Sequence, residues 1–208
     1  MTLLLIALLA CPAQASRLVN SLGENTIEAA IRSRFPQVVR QDNDLAIHTK
    51  DRIVTFKGNS SAGESGAKYA VVNAYKISTT RIDFLVREHL YEGGRLFLVD
   101  GMTGTTVTVA GEPILSPWLN YYLSSSPPDS EEGSGTLMIH RVSDLSLEYS
   151  HDFGNDVRPP AASGPQTAAW ISPSKIFYLR KTDVRGKSSL ESFILERKDG
   201  KWVESKMK

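Results

Sequence analysis

Four histidines, His48, His89, His140 and His151, are the side chains best suited to move a proton near neutral pH. Their spacing gives none of them a partner: no His-Glu-x-x-His run and no pair on one strand is present, so zinc-site patterns are missing. His140 falls out of phase with Leu137 and Ile139, which predicts a solvent-facing imidazole. His151-Asp152-Phe153-Gly154-Asn155-Asp156 is the densest polar run, and its oxygens suit calcium. The EF-hand spacing and its closing Glu are absent, so turn-forming Asx residues are expected there. Gly63-Glu64-Ser65-Gly66-Ala67 has the outline of a serine-hydrolase loop, but Ala67 stands where a nucleophile elbow needs Gly, and a strand follows it. A trypsin-like triad would need His and Asp from elsewhere on the fold, and only His48 and Asp51 lie nearby. No catalytic residue, metal ligand or cofactor is expected, and a hydrolase site built from scattered loops is the enzymatic alternative.

The elements that would position these residues follow from composition and pattern. The chain has 208 residues, is 41% hydrophobic and carries a formal charge of +1. That balance argues against a nucleic-acid partner, which would call for a basic face. After the N-terminus no window approaches the roughly 18 apolar residues of a membrane span. The first residues, MTLLLIALLACPAQAS, differ: Leu3 to Ala10 is unbroken apolar sequence, and Ala13-Gln14-Ala15 forms a small-x-small site before Ser16. This predicts a secretory signal peptide over 1–15, although no Lys or Arg precedes the apolar run. Alternatively, Leu8-Leu9-Ala10-Cys11 resembles the lipobox of bacterial lipoproteins, which implies lipidation at Cys11 and attachment to a membrane by that route alone. Cys11 is the only cysteine, so the exported body uses no disulfides. A periplasmic or secreted location is expected.

Within residues 16–40 one short amphipathic helix is predicted. Asn25 would cap it and Glu28 would complete a capping box, with Ile27, Ala30, Ile31 and Phe35 on one face and Pro36 as the stop. From about Leu45 the hydrophobic period becomes two, in short runs rich in β-branched and aromatic residues separated by tight turns. Close turns imply antiparallel hairpins. The expectation is an all-β body forming a single repeat domain over 41–208.

A phrase recurs in that body. Ile77-Ser78-Thr79-Thr80-Arg81-Ile82 aligns with Leu115-Ser116-Pro117-Trp118-Leu119-Asn120 and with Ile171-Ser172-Pro173-Ser174-Lys175-Ile176. Each copy leads into an aromatic strand. A second strand follows (95–100, 136–142, 189–197), then a tight turn and a third (105–109, 145–150, 201–205). Two polar stretches, 124–135 and 156–166, read as loops that lengthen the later intervals. Residues 45–75 would supply a diverged fourth unit. The hydrophobic-Ser-Pro phrase resembles the strand entry of TolB-like and WD40-like β-propeller blades, over roughly 77–205. This resemblance implies antiparallel three-stranded, propeller-like repeats. A β-sandwich or an open meander is the alternative.

Ser65-Gly66-Ala67-Lys68-Tyr69 fits the S-G-x-x-Y motif and so resembles the bacterial periplasmic lysozyme inhibitors. That resemblance implies Ser65 and Tyr69 as donors to a lysozyme's catalytic carboxylates. Exposed aromatics are the other route to a binding surface. Alternation puts Tyr121 and Tyr122 on opposite faces, one in the core and one open to exposure; the repeat position itself predicts aromatic core and is the favoured reading, with Tyr122 kept as a binding candidate. Trp118 departs from its counterparts Thr80 and Ser174, which marks it as the first place to look for a contact. The expected function is an exported, non-catalytic binding or scaffold protein of the bacterial envelope, with a partner the sequence does not identify. The lysozyme inhibitor and the scattered-loop hydrolase are the alternatives.

Overall fold

The computed structural model describes residues 23–59, 66–90, 93–128, 134–156, 161–184 and 187–207. The expected leader and Cys11 lie outside them, as does Ser65. The chain divides into two compact units, Met1–Val107 and Thr108–Lys208. Apart from one helix and one 3-10 turn, the described elements are strands, in four antiparallel sheets. The fold class is all-β.

The first unit opens with helix α1 (Glu24–Arg34). Gly23 occupies the N-cap, so Asn25 lies inside the first turn and Glu28 closes no capping box. Acidic Glu24 in the first turn and basic Arg32 and Arg34 in the last complement the helix dipole. The Phe35 N–H donates to the Ile31 carbonyl before Pro36 stops the helix. Glu28 is buried instead, where its carboxylate takes both Arg40 Nε (2.9 Å) and the Val71 N–H (3.2 Å). The helix thereby supplies an acceptor to a backbone amide of the neighbouring sheet.

Strands β1 (Val38–Gln41), β2 (Asp44–His48) and β3 (Ile53–Phe56) form a three-stranded meander, with Leu45 and Ile47 alternating into the core. The sheet that follows contains β4 (Lys68–Lys76), β5 (Ile82–His89), β6 (Gly94–Val99) and β7 (Thr106–Val109). The diverged unit expected at 45–75 is therefore divided: the run at 69–75 belongs to this second sheet, and Val38–Gln41 completes the first. Phe84, Leu85 and Val86 are consecutive and all buried, so β5 is covered on both faces.

The second unit holds two four-stranded meanders. One comprises β8 (Ile114–Leu115), β9 (Tyr121–Ser126), β10 (Thr136–Arg141) and β11 (Leu147–Asp152). The other comprises β12 (Ala161–Ser172), β13 (Lys175–Val184), β14 (Lys187–Lys198) and β15 (Lys201–Lys206). The repeat thus has four strands where three were expected. The missing strand precedes the phrase each time: β4, β8 and β12 each pair with the strand the phrase opens. Much of the expected loops is strand as well. Ser124–Ser126 extend β9, and β12 runs through Gly164 and Pro165 by shifting register between Pro165 and Thr167. Gly135 and Gly164 permit this packing, since a Cβ on Gly135 would stand 2.6 Å from the Gly164 Cα. There the Gly135 N–H donates to the Ser163 carbonyl at 2.8 Å.

His140 corrects a prediction. It is 4% exposed: it lies opposite fully buried Tyr122 in the β9–β10 register, so the face away from Leu137 and Ile139 is covered as well. Its Nδ1 has no hydrogen-bond partner among the described residues. Burial holds its pKa below the usual histidine value.

Candidate functional site

In all three copies the repeated phrase forms the turn between the first and second strands of its sheet, and its serine does the same work. Ser78 Oγ accepts the N–H groups of Thr80 (3.2 Å) and Arg81 (3.0 Å). Ser116 Oγ accepts those of Asn120 (3.0 Å) and Tyr121 (3.3 Å). Ser172 Oγ accepts the Ser174 N–H at 3.4 Å. A short hydroxyl side chain can satisfy turn amides that no ladder reaches, which explains why the serine recurs.

The middle copy carries an unusual load. Trp118 is 46% exposed and Leu119 is 43% exposed. Leu119 has φ 58°, a left-handed conformation that costs a branched side chain about 1–2 kcal/mol. Glycine at this position would be free of that cost. The turn is nonetheless well held. Leu119 N–H donates to the Ser116 carbonyl (2.9 Å), Ser116 N–H to the Tyr121 carbonyl (2.8 Å) and Val142 N–H to the Asn120 carbonyl (2.8 Å). Two large apolar side chains are thus presented to solvent on a hydrogen-bonded, locally strained turn.

Behind the turn stands an aromatic cluster. Tyr121 stacks on Trp170 with centroids 6.0 Å apart and meets the edge of Trp202 at 5.6 Å. Trp170 Nε1 donates to the Ile114 carbonyl at 3.1 Å, fixing the ring between β12 and β8. The Arg197 guanidinium lies 5.7 Å from the Tyr121 ring, within cation–π range. Tyr121 and Tyr122 are both buried, in keeping with the aromatic-core reading of the repeat position, and the candidate Tyr122 offers no surface to a partner in this conformation.

Tyr69 sits on β4 directly opposite Glu88 of β5 and is half-buried. Its hydroxyl donates to Glu88 Oε1 at 2.6 Å, and Arg95 Nε donates to Oε2 at 2.6 Å. Burial, with the Glu88 carboxylate beside it, pushes the Tyr69 hydroxyl up to about 12. The hydrogen bond from Arg95 holds Glu88 below its usual range. The hydroxyl that a lysozyme inhibitor would offer to its target is here spent on the chain's own carboxylate. An open cleft of about 370 Å³ adjoins this cluster, lined by Arg87, Glu88, His89, Gly93, Gly94 and Arg95. Alternation along β5 sends Arg87 and His89 to the face opposite Glu88, where both meet Glu24 of α1 at 2.5 Å.

The remaining polar run folds as the Asx reading predicts. Asp152 accepts the Gly154 N–H at 3.0 Å and the Ser134 hydroxyl, and Phe153–Asp156 form a 3-10 turn. His151 stacks on Phe153 at 4.2 Å, with its Nδ1 at 3.2 Å from the Tyr149 hydroxyl and 3.6 Å from Glu204. Tyr178 also donates to Glu204, so this cluster fastens β11 and β13 to β15. Among the described residues no group of three or more His, Cys, Asp or Glu side chains is placed to hold a metal ion, and no helix is long and apolar enough to cross a membrane. Comparison of the chain with family models, curated proteins and solved structures finds no match.

Proposed function

We propose that the chain is an exported binding or scaffold protein of the bacterial envelope, without a catalytic role, whose contact surface is the Trp118 turn. The exposure of Trp118 beside a strained Leu119 carries this reading. Strain in a well-held turn persists where a structure has a use for the geometry. Exposed tryptophan is also the residue most enriched in binding hot spots. The equivalent turn of the second sheet, with Ser78, Thr79 and Thr80, is polar and has no such display. The envelope assignment rests on the leader sequence. We also read the sheets as propeller-like repeats: three successive four-stranded meanders, each with a serine-held turn after its first strand, support that reading.

A photo-crosslinking residue at position 118, expressed in cells, tests the function. The expected result is a discrete adduct, protein or lipid, in the envelope fraction, with none from position 190, whose Leu190 is more exposed still. No adduct at 118, or equal labelling at both positions, overturns the reading. Mass measurement on the exported chain decides between cleavage after Ala15 and lipidation at Cys11.

A further inference from the structure

His140 and the Trp118 turn are joined by a short piece of backbone. His140 lies opposite Tyr122 in the β9–β10 register, and Arg141 lies opposite Tyr121. One residue further, the Val142 N–H donates to the Asn120 carbonyl at 2.8 Å and ties the end of β10 to the turn. On its other side β10 meets β11 through a register shift between Ile139 and His140. The turn is thus fastened to a strand end beside a bulge, the part of a ladder that opens first. Leu119 adds a reason to open, because its left-handed strain is lost once the turn is free.

The imidazole is 4% exposed, and its Nδ1 has no hydrogen-bond partner among the described residues. The strands beside it offer no counter-charge to a proton taken up there. β9 contributes Tyr122, directly opposite, and Tyr121 on the other face. β11 contributes Glu148, Tyr149, His151 and Asp152. Glu148 is held by Arg141 and Arg197, and the Tyr149 hydroxyl meets His151. Asp152 stands opposite Thr136, at the far end of β10, and accepts from Ser134 and Gly154. β12, which also packs on β10, has no titratable side chain. An imidazolium would be buried and unpaired here, and burial already holds His140 below the usual histidine value. It reaches water only when residues 140–142 leave the ladder.

We propose that His140 is an acid-sensing latch for the Trp118 turn: a proton on its imidazole frees residues 140–142 from β9, and the turn with them. The consequence for binding, though not the opening itself, rests on the Trp118 turn being the contact surface. The open segment titrates as a solvated histidine does, near about 6.5, and the closed one below that. Closure is therefore at full strength above that pH, and each unit below it favours opening by up to roughly tenfold.

The test is hydrogen exchange of single amides in the purified chain, corrected for intrinsic rates, at about pH 7.5 and about pH 5.5. Protection of the Val142 amide should fall roughly tenfold at the lower pH. The Arg197 amide, which donates to the Ser174 carbonyl in the β12–β15 sheet, should keep its protection. His140→Gln, polar but without a titrating proton, should level Val142 protection at the two pH values, and so should the buried ring of His140→Phe. A photo-crosslinking residue at 118 should lose its adduct at the lower pH, and keep it when His140→Gln is added. Unchanged Val142 protection, an equal fall in both variants, or a parallel fall at Arg197 overturns the proposal. An adduct that survives while Val142 opens overturns the link to binding. Absence of any adduct at 118, with the His140-dependent opening intact, removes the Trp118 contact reading and leaves the latch standing.

Discussion

The turn at 77–81 and the turn at 115–120 are two versions of one device. Both follow the first strand of a four-stranded sheet, and both spend a serine hydroxyl on two turn amides. The first is polar at its tip, and its arginine turns inward: Arg81 binds buried Asp83 at 2.8 Å and buried Asp100 at 3.0 Å. The second exposes Trp118 and Leu119 and holds the leucine left-handed. What the copies share builds the sheet, and what they do not share is available for contact. The difference also separates two kinds of substitution, those that should cost stability and those that should cost only binding.

The largest stability effect should come from the shared part. Ser116 is buried, so Ser116→Ala strands two amides away from water and should cost about 2 kcal/mol in chemical denaturation. Ser78 is exposed, and Ser78→Ala should cost no more than about 0.5 kcal/mol, since water replaces the hydroxyl. Equal costs at the two positions would mean that the serines do not act alike.

Next comes the pH dependence peculiar to the Trp118 sheet. His140 is buried with a lowered pKa, so the unfolded chain binds a proton that the native chain refuses. Stability should therefore be fully present above the unfolded value of about 6.5 and decline as pH falls below it, by up to about 1.4 kcal/mol per pH unit until the native imidazole titrates. His140→Leu should flatten that slope between neutral and mildly acid pH. An unchanged slope would place the proton uptake elsewhere.

Smaller and opposite in sign is Leu119→Gly. Relief of the left-handed strain, less the added entropy of an unfolded glycine, should stabilise the chain by about 0.5–1 kcal/mol. Smallest is Trp118→Ser, which copies Ser174 and should leave stability within about 0.5 kcal/mol while removing binding. A marked loss of stability from this exposed site would return Trp118 to an architectural role.

Much of this design was legible in the residues, and the exceptions have physical causes. Alternation and tight turns reveal β5, β6, β9, β10, β13 and β14, since each buries a recognisable set of apolar side chains. Of the strands preceding the phrase, β4 is legible in the run at 69–75, whereas β8 and β12 escape for different reasons. β8 is two residues long, and β12 carries Gly164 and Pro165, which punctuate a loop in most contexts and are tolerated here by a register shift and a close backbone approach. Glu28 fits a capping box by spacing, but Gly23 starts the helix earlier and frees the carboxylate for Arg40 and Val71. His140 looks solvent-facing because alternation assigns its face but cannot tell that this second face of the sheet, shared with Tyr122, is covered too. At the candidate site, Trp118 stands out by comparison with Thr80 and Ser174. The conformation of Leu119 arises only from the folded turn, which sequence spacing does not encode.

The central claim is that equivalent turns have been given different jobs. It is tested most directly by placing the same photo-crosslinking residue at 118 and at its counterpart 80, both exposed, and comparing adducts in the envelope fraction. The account predicts a discrete adduct from 118 and none from 80. Adducts of equal yield from both positions, or from 80 alone, would contradict it.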